Sequence, residues 1–236
     1  MNWTERLSHF SVLDFIAFAG LLVAWLSIGY LIENPPKSRP SVSRLMVHYR
    51  REWMHHFVDR NPRIFDAQIL GNLRQGTAFF ASATMIAIGA GLALMGNADQ
   101  LAGVAEDFTL TQAPNIILEI KISVMLVFIA NAFLKFVWAH RLFGYCSVVM
   151  SSVPNNPKDP LALPRAAIAG EINIAASRGF NRAMRSVYFG LTAAAWLFGA
   201  TALLTATAVT SFILWRREFA SKSRVALLQE QPRQQT

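Results

Sequence analysis

Long apolar blocks alternate along this chain with polar, arginine-rich ribbons. Four blocks are long enough to cross a bilayer as helices, which takes about 20 mostly apolar residues: 12–32, 77–95, 116–139 and 187–215. Helices are expected because lipid cannot satisfy backbone N–H and C=O groups, and these runs lack the alternation of barrel strands. The first block, VLDFIAFAGLLVAWLSIGYLI, is too long for a signal-peptide core, and the ENPPK after it offers no small-residue cleavage site. It reads as a retained helix. The last block exceeds the length a crossing needs, so tilting or extension beyond the lipid is expected.

The ribbons have patterns of their own. In the connection 33–76, Leu45, Tyr49, Trp53 and Phe57 recur every fourth residue, with Arg44, Arg50, Arg51 and His55 elsewhere around the helix. That spacing predicts a helix lying in the headgroup plane, with packing against another protein as the alternative. Asn61-Pro62 reads as a helix start, Asn as N-cap and Pro at the first helical position. Residues 63–82 then read RIFDAQILGNLRQGTAFFAS, a polar segment abutting the charge-free Thr77–Met95. Such a junction is expected where the chain enters a bilayer from the cytoplasmic side. Asp66 is expected to pair with a neighbouring arginine, and Gln68 and Asn72 to satisfy backbone ends. In the connection 140–186, PNNPKDPLALP carries four prolines and is not regular helix inside. Arg165–Arg185 regains helical spacing, with Ile168, Ile172, Ala175 and Gly179 on one side and Arg178, Arg182 and Arg185 in a row.

Composition sharpens this reading. Hydrophobic residues make up 53% and charged residues only 15%, against about a quarter charged in soluble domains. The expected fold is an all-α integral membrane protein: one membrane domain, a four-transmembrane-helix bundle with cytoplasmic interfacial helices. Net charge is +8, but the Lys and Arg residues lie between apolar blocks, so anionic lipid headgroups are the expected partner and not nucleic acid. Arg50, Arg51, Arg63, Arg178, Arg182 and Arg185 are the headgroup candidates. The single Cys146 permits no intramolecular disulfide.

Sidedness follows from the basic residues. Both long connections are rich in Lys and Arg, whereas the loop 96–115 has neither and carries Asp99, Glu106 and Asp107. The connections therefore belong in the cytoplasm and the loop outside, and four crossings leave both termini outside. The tail 216–236 opposes this with Arg216, Arg217, Lys222, Arg224 and Arg233.

Small residues spaced four apart, Ala83, Ala87 and Gly91 on the second span, and a similar strip of Ala195, Gly199, Ala202 and Ala206 on the fourth, predict close helix packing. The polar candidates in or beside the spans are Asp14, Asp66, Asn72, Arg74, Glu119, Lys121, Asn131 and Lys135. Glu119, Ser123, Asn131 and Lys135 wind around a helix of 3.6 residues per turn and form no single polar face. Anchoring and interhelical hydrogen bonds are expected ahead of transport. No histidine falls mid-span to hold haem, and no P-loop, GxGxxG, GxSxG or HExxH motif occurs. No cofactor, metal site or catalytic residue is expected.

Three stretches, RREWMHHFVDRNPRIFDAQILGNLRQGTAFFAS, FNRAMRSVYFG (Phe180–Gly190) and WRREF (Trp215–Phe219), resemble the bacterial membrane proteins catalogued as domain of unknown function 599. Ala83 departs from the Thr associated with the family after FFAS. The resemblance implies a multi-helix protein of the bacterial inner membrane and carries across no activity, cofactor or catalytic residue. A non-enzymatic protein that assembles with itself or with a larger membrane complex is the preferred expectation. A channel or carrier using Asp14, Glu119, Lys121, Asn131 and Lys135 comes second, and a lipid-acting enzyme using Asp59, Asp66 and Arg74 third.

Overall fold

Away from water a charge-free run satisfies its backbone within itself, and the apolar blocks are helical. The computed structural model describes residues 9–97 and 115–229; most of the loop 96–115 and the end of the tail lie outside the described residues. In chain order the helices are α1 Val12–Glu33, α2 Val42–Phe57, α3 Ile64–Gly96, α4 Asn115–Ser151, α5 Ala162–Ala194, α6 Ala200–Phe219 and α7 Lys222–Gln229, with a 3-10 turn at Ala195–Phe198 between α5 and α6. All regular structure among the described residues is helical.

Three helices, α1, α3 and α4, are long and apolar enough to cross a membrane. Protein covers only 22% of the most apolar window of α1 and 11% of that of α3. Phe15, Ile16, Val23 and Leu26 on α1, and Phe79, Met85, Ile86 and Leu92 on α3, are exposed. Apolar faces this bare require an apolar solvent, which a bilayer supplies.

The fourth expected span, 187–215, is not one helix. α5 stops at Ala194, and the chain turns through Ala195–Phe198 and then Gly199, at φ 108° and ψ 168°. Glycine reaches that region freely and other residues only under strain. The Thr192 and Thr210 hydroxyls meet at 2.7 Å. A bond between the last turn of α5 and a point ten residues into α6 means that the chain has reversed. The expected strip of Ala195, Gly199, Ala202 and Ala206 is broken up by the turn, since its first two members lie there.

The chain divides into two compact units. Unit 1 comprises the segments up to Leu31, Ala83–Ala132 and Met184–Trp215. Aromatic contacts join its helices: Trp25 meets Phe128 edge-on at 5.2 Å, and Phe128 stacks on Phe189 at 6.5 Å. Small residues allow the close approaches, as expected of membrane helices. A Cβ added to Gly190 would sit 2.8 Å from Ile129 Cδ1, and Gly91 is covered by Leu126. The strip on α3 is used only in part, since Gly91 is buried while Ala87 is exposed.

Unit 2 comprises Ile32–Ser82, Phe133–Ala183 and the segment from Arg216 onward. Its core packs Met54 and Phe57 of α2 against Phe143, Cys146 and Met150 of α4 and the alanines of α5. The apolar side of α2 therefore meets protein: α4 and α5 cover Met54 and Phe57. On α5 the buried side is Ala166, Ala169, Asn173 and Ala176, while Ile168 and Ala175 are exposed. Size decides here, because small side chains let Gly170 come against Met54 and Gly179 against Ala139. α3 begins at Ile64, so Asn61 and Pro62 precede the helix and neither caps it; the bond between them is cis.

Candidate functional site

The junction between polar and apolar sequence lies within one uninterrupted helix, α3, from Ile64 onward. Asp66, in the first turn of α3, is fully buried. Its Oδ1 accepts from Trp53 Nε1 at 2.7 Å and pairs with Arg60 Nη1. The expected arginine partner is thus found. Gln68 and Asn72 differ from expectation: they are exposed, and Gln68 Nε2 donates to Asn72 Oδ1 at 3.2 Å instead of serving backbone ends. On an exposed helix face four residues apart, the neighbouring side chain is the nearer partner.

The arginines divide by what they touch. Arg63 stacks over the Phe57 ring at 4.4 Å and donates to the Val153 and Pro154 carbonyls, each at 2.8 Å, and to that of Val58 at 3.3 Å. It closes the chain just beyond α4. Arg51, exposed, bonds Glu171 at 2.7 Å. Arg182 forms a two-pronged pair with Glu33. Arg185 is buried beside Gly29, whereas Arg178 and Arg74 are exposed. The Arg74 carbonyl lies 3.3 Å from His140 Nδ1.

These bonds tie the basic segments together within unit 2. Arg182 links the second connection to the end of α1, and Arg51 links the first connection to the second. The tail joins them: Glu218 accepts from the Ser43 backbone N–H at 2.9 Å and from its hydroxyl at 3.0 Å, and Arg224 donates to the Pro40 carbonyl at 2.9 Å. Glu218 is buried at the N-terminus of α2, where backbone N–H groups favour a negative charge. Ser41 caps the same terminus, accepting from Arg44 N at 3.2 Å.

In unit 1, Asp14, Lys121 and Asn131 make contacts between elements. Asp14 accepts from Ser11 Oγ and from Trp196 Nε1, each at 2.7 Å. Lys121 Nζ lies 5.9 Å from the Trp196 ring centre. Trp196 belongs to the turn between α5 and α6, so Asp14 and Lys121 fix that turn. Asn131 Nδ2 donates to Ser186 Oγ at 2.8 Å, the interhelical bond expected of it. Glu119, in unit 1, and Lys135, in unit 2, are half-buried on α4.

Within unit 2 there is also a cavity of about 240 Å³. Arg50, Asn72, Thr77, Ser177 and Asn181 give it polar walls, and Leu73, Phe143 and Phe180 an apolar side. Arg50 is held from behind: its Nη1 donates to Oδ1 of the buried Asn173, whose Nδ2 faces Cys146 Sγ at 3.8 Å. Burial draws the Arg50 guanidinium below its usual pKa, opposed by its interaction with Cys146. Among the described residues, no group of three or more His, Cys, Asp or Glu side chains could hold a metal. Sequence reasoning missed Asn173, Ser177 and Asn181, whose only signal is polarity on an otherwise alanine-rich helix.

The chain matches, over residues 16–223, the family described as protein of unknown function, DUF599. It belongs to that family. The match takes in every residue that lines the cavity of this DUF599 protein and the contact of Glu218 with Ser43. No curated protein and no solved structure matches it.

Proposed function

We propose that this DUF599 protein is a non-enzymatic accessory protein of the cell membrane, working in a homo-oligomer or larger membrane complex, with its basic segments at the cytoplasmic surface among anionic lipids. The observation that carries this reading is the commitment of the span's polar groups to packing. Asp14 holds Trp196 and Asn131 holds Ser186, which leaves them poorly placed to line a solute path. Asp66 is likewise enclosed by Trp53 and Arg60, which argues against an acid–base role with Asp59 and Arg74.

The proposed sidedness keeps the N-terminus and the loop 96–115 outside and moves the C-terminal segment into the cytoplasm. Bonds from Glu218 to Ser43 and from Arg224 to Pro40 favour one side for the tail and the first connection. The reversal at Gly199 supports a hairpin of α5 and α6 that enters the bilayer from the basic side and returns to it. With that hairpin, all three basic segments obey the positive-inside rule, and the conflict posed by the tail disappears.

Mass measurement of the detergent-solubilised protein tests the accessory role. An oligomer or a co-purifying membrane protein is expected, and a monomer alone would contradict it. In proteoliposomes, a solute flux abolished by Asn131→Leu would favour a carrier instead.

A further inference from the structure

We infer that the cavity in unit 2 is a binding site for a phosphate monoester, either the headgroup of phosphatidic acid or a small free organic phosphate. The cavity brings one cation and several neutral hydrogen-bonding groups to a common space, and no carboxylate is among the residues that line it. Arg50 donates from Nη1 to Asn173, a neutral amide. Its charge is therefore stabilised by orientation but not neutralised, and a half-buried charge in that condition favours an anion. The guanidinium fork matches an oxyanion, and one held from behind has little ordering left to do on binding.

The neutral groups define the class of anion. Asn72, Ser177 and Asn181 are among the residues that line the cavity. Ser177 Oγ is buried with no hydrogen-bond partner, a cost that a ligand oxygen would remove. Thr77 is different, since its hydroxyl already donates to the Leu73 carbonyl at 2.7 Å. Arg50 with further neutral polar groups exceeds what the two oxygens of a carboxylate, or the two non-bridging oxygens of a phosphodiester, use well, and suits the three terminal oxygens of a phosphate monoester. Phe143 and Phe180 give the organic part an apolar wall, and about 240 Å³ accommodates a headgroup-sized body.

The test uses the full chain, purified in detergent and separately in phosphatidylcholine nanodiscs. Glycerol 3-phosphate is titrated calorimetrically into the detergent sample, and nanodiscs with and without phosphatidic acid are compared for thermal stabilisation. A response to the first probe identifies a free phosphate, and a response to the second alone identifies a lipid; either supports the site. Arg50→Gln should weaken the response about tenfold or more, the loss expected for a charge-assisted contact. Arg51→Gln, on the exposed pair with Glu171, should leave it within about twofold. Should Arg50→Gln fail to fold by circular dichroism, Gly76→Leu decides. Gly76 lines the cavity, an added Cβ there meets no atom within 4 Å, and leucine is the better helix former; this variant should fold and lose the response. Binding of neither probe, or binding undiminished in the folded variants, would overturn the inference.

Discussion

Glu218, near the end of α6, is buried against Ser43 in the first turn of α2, accepting from both its backbone N–H and its hydroxyl. The pair is 175 residues apart in sequence. It joins the C-terminal segment to the first basic connection. Glu218→Ala leaves two donors without their charged acceptor and should destabilise the protein by about 1.5–3 kcal/mol. Unfolding in detergent measures the loss. Limited proteolysis should show earlier cleavage after Arg216 and Arg217, and unchanged cleavage would mean that other contacts hold the tail.

A second prediction concerns Asp66. Asp66→Ala removes the buried acceptor of Trp53 Nε1 and the partner of Arg60, whose own side chain is partly exposed. Water can take up part of the charge left on Arg60, so the loss expected is that of hydrogen bonds to a charged group, about 1.5–3 kcal/mol. In a double-mutant cycle with Trp53→Phe, a coupling of about 1 kcal/mol or more is expected for groups in direct contact. Additive losses would contradict the bond.

The turn at Gly199 separates two kinds of glycine. Gly199→Ala forces a Cβ into a backbone region with φ of 108° and should cost about 1–3 kcal/mol. Gly71→Ala lies on an exposed helical face with nothing within 4 Å and should stabilise α3 by about 0.5–1 kcal/mol. Equal effects on the unfolding midpoint would mean that the two positions share a helical conformation.

What the sequence made legible follows from how far each signal reaches. The long apolar runs of α1, α3 and α4 name their own solvent, so hydropathy alone finds them. The same measure is blind to direction: AAAWLFGAT reads as apolar whether the chain goes straight or doubles back, and Gly199 is its only mark of a turn. On α2 the four-residue repeat identified the buried side but not its cover, because lipid and a neighbouring helix ask for the same residues. On α5 the pattern pointed to Ile168, whereas close packing selects the alanines. Asp66 found its arginine six residues away, within the reach of local reasoning. Glu218, Trp196 and Asn173 act across distances that no periodicity encodes.

The packing role of Asp14 also makes a prediction. Asp14→Asn keeps an acceptor for Trp196 Nε1, whereas Asp14→Leu does not. Only the leucine variant should destabilise the protein, by about 1–3 kcal/mol for the donor left bare. A large loss in the asparagine variant would indicate that the charge itself, set against Lys121, matters more than the bond.

The central claim, that 187–215 doubles back and returns the chain to its basic side, is open to direct labelling. Single cysteines introduced by Glu106→Cys and by Gln231→Cys, each in a Cys146→Ala background, are exposed on intact cells to a membrane-impermeant maleimide. Glu106→Cys should react at once, and Gln231→Cys only after the membrane is permeabilised. Reaction of both on intact cells would put the chain's end outside and restore a single crossing.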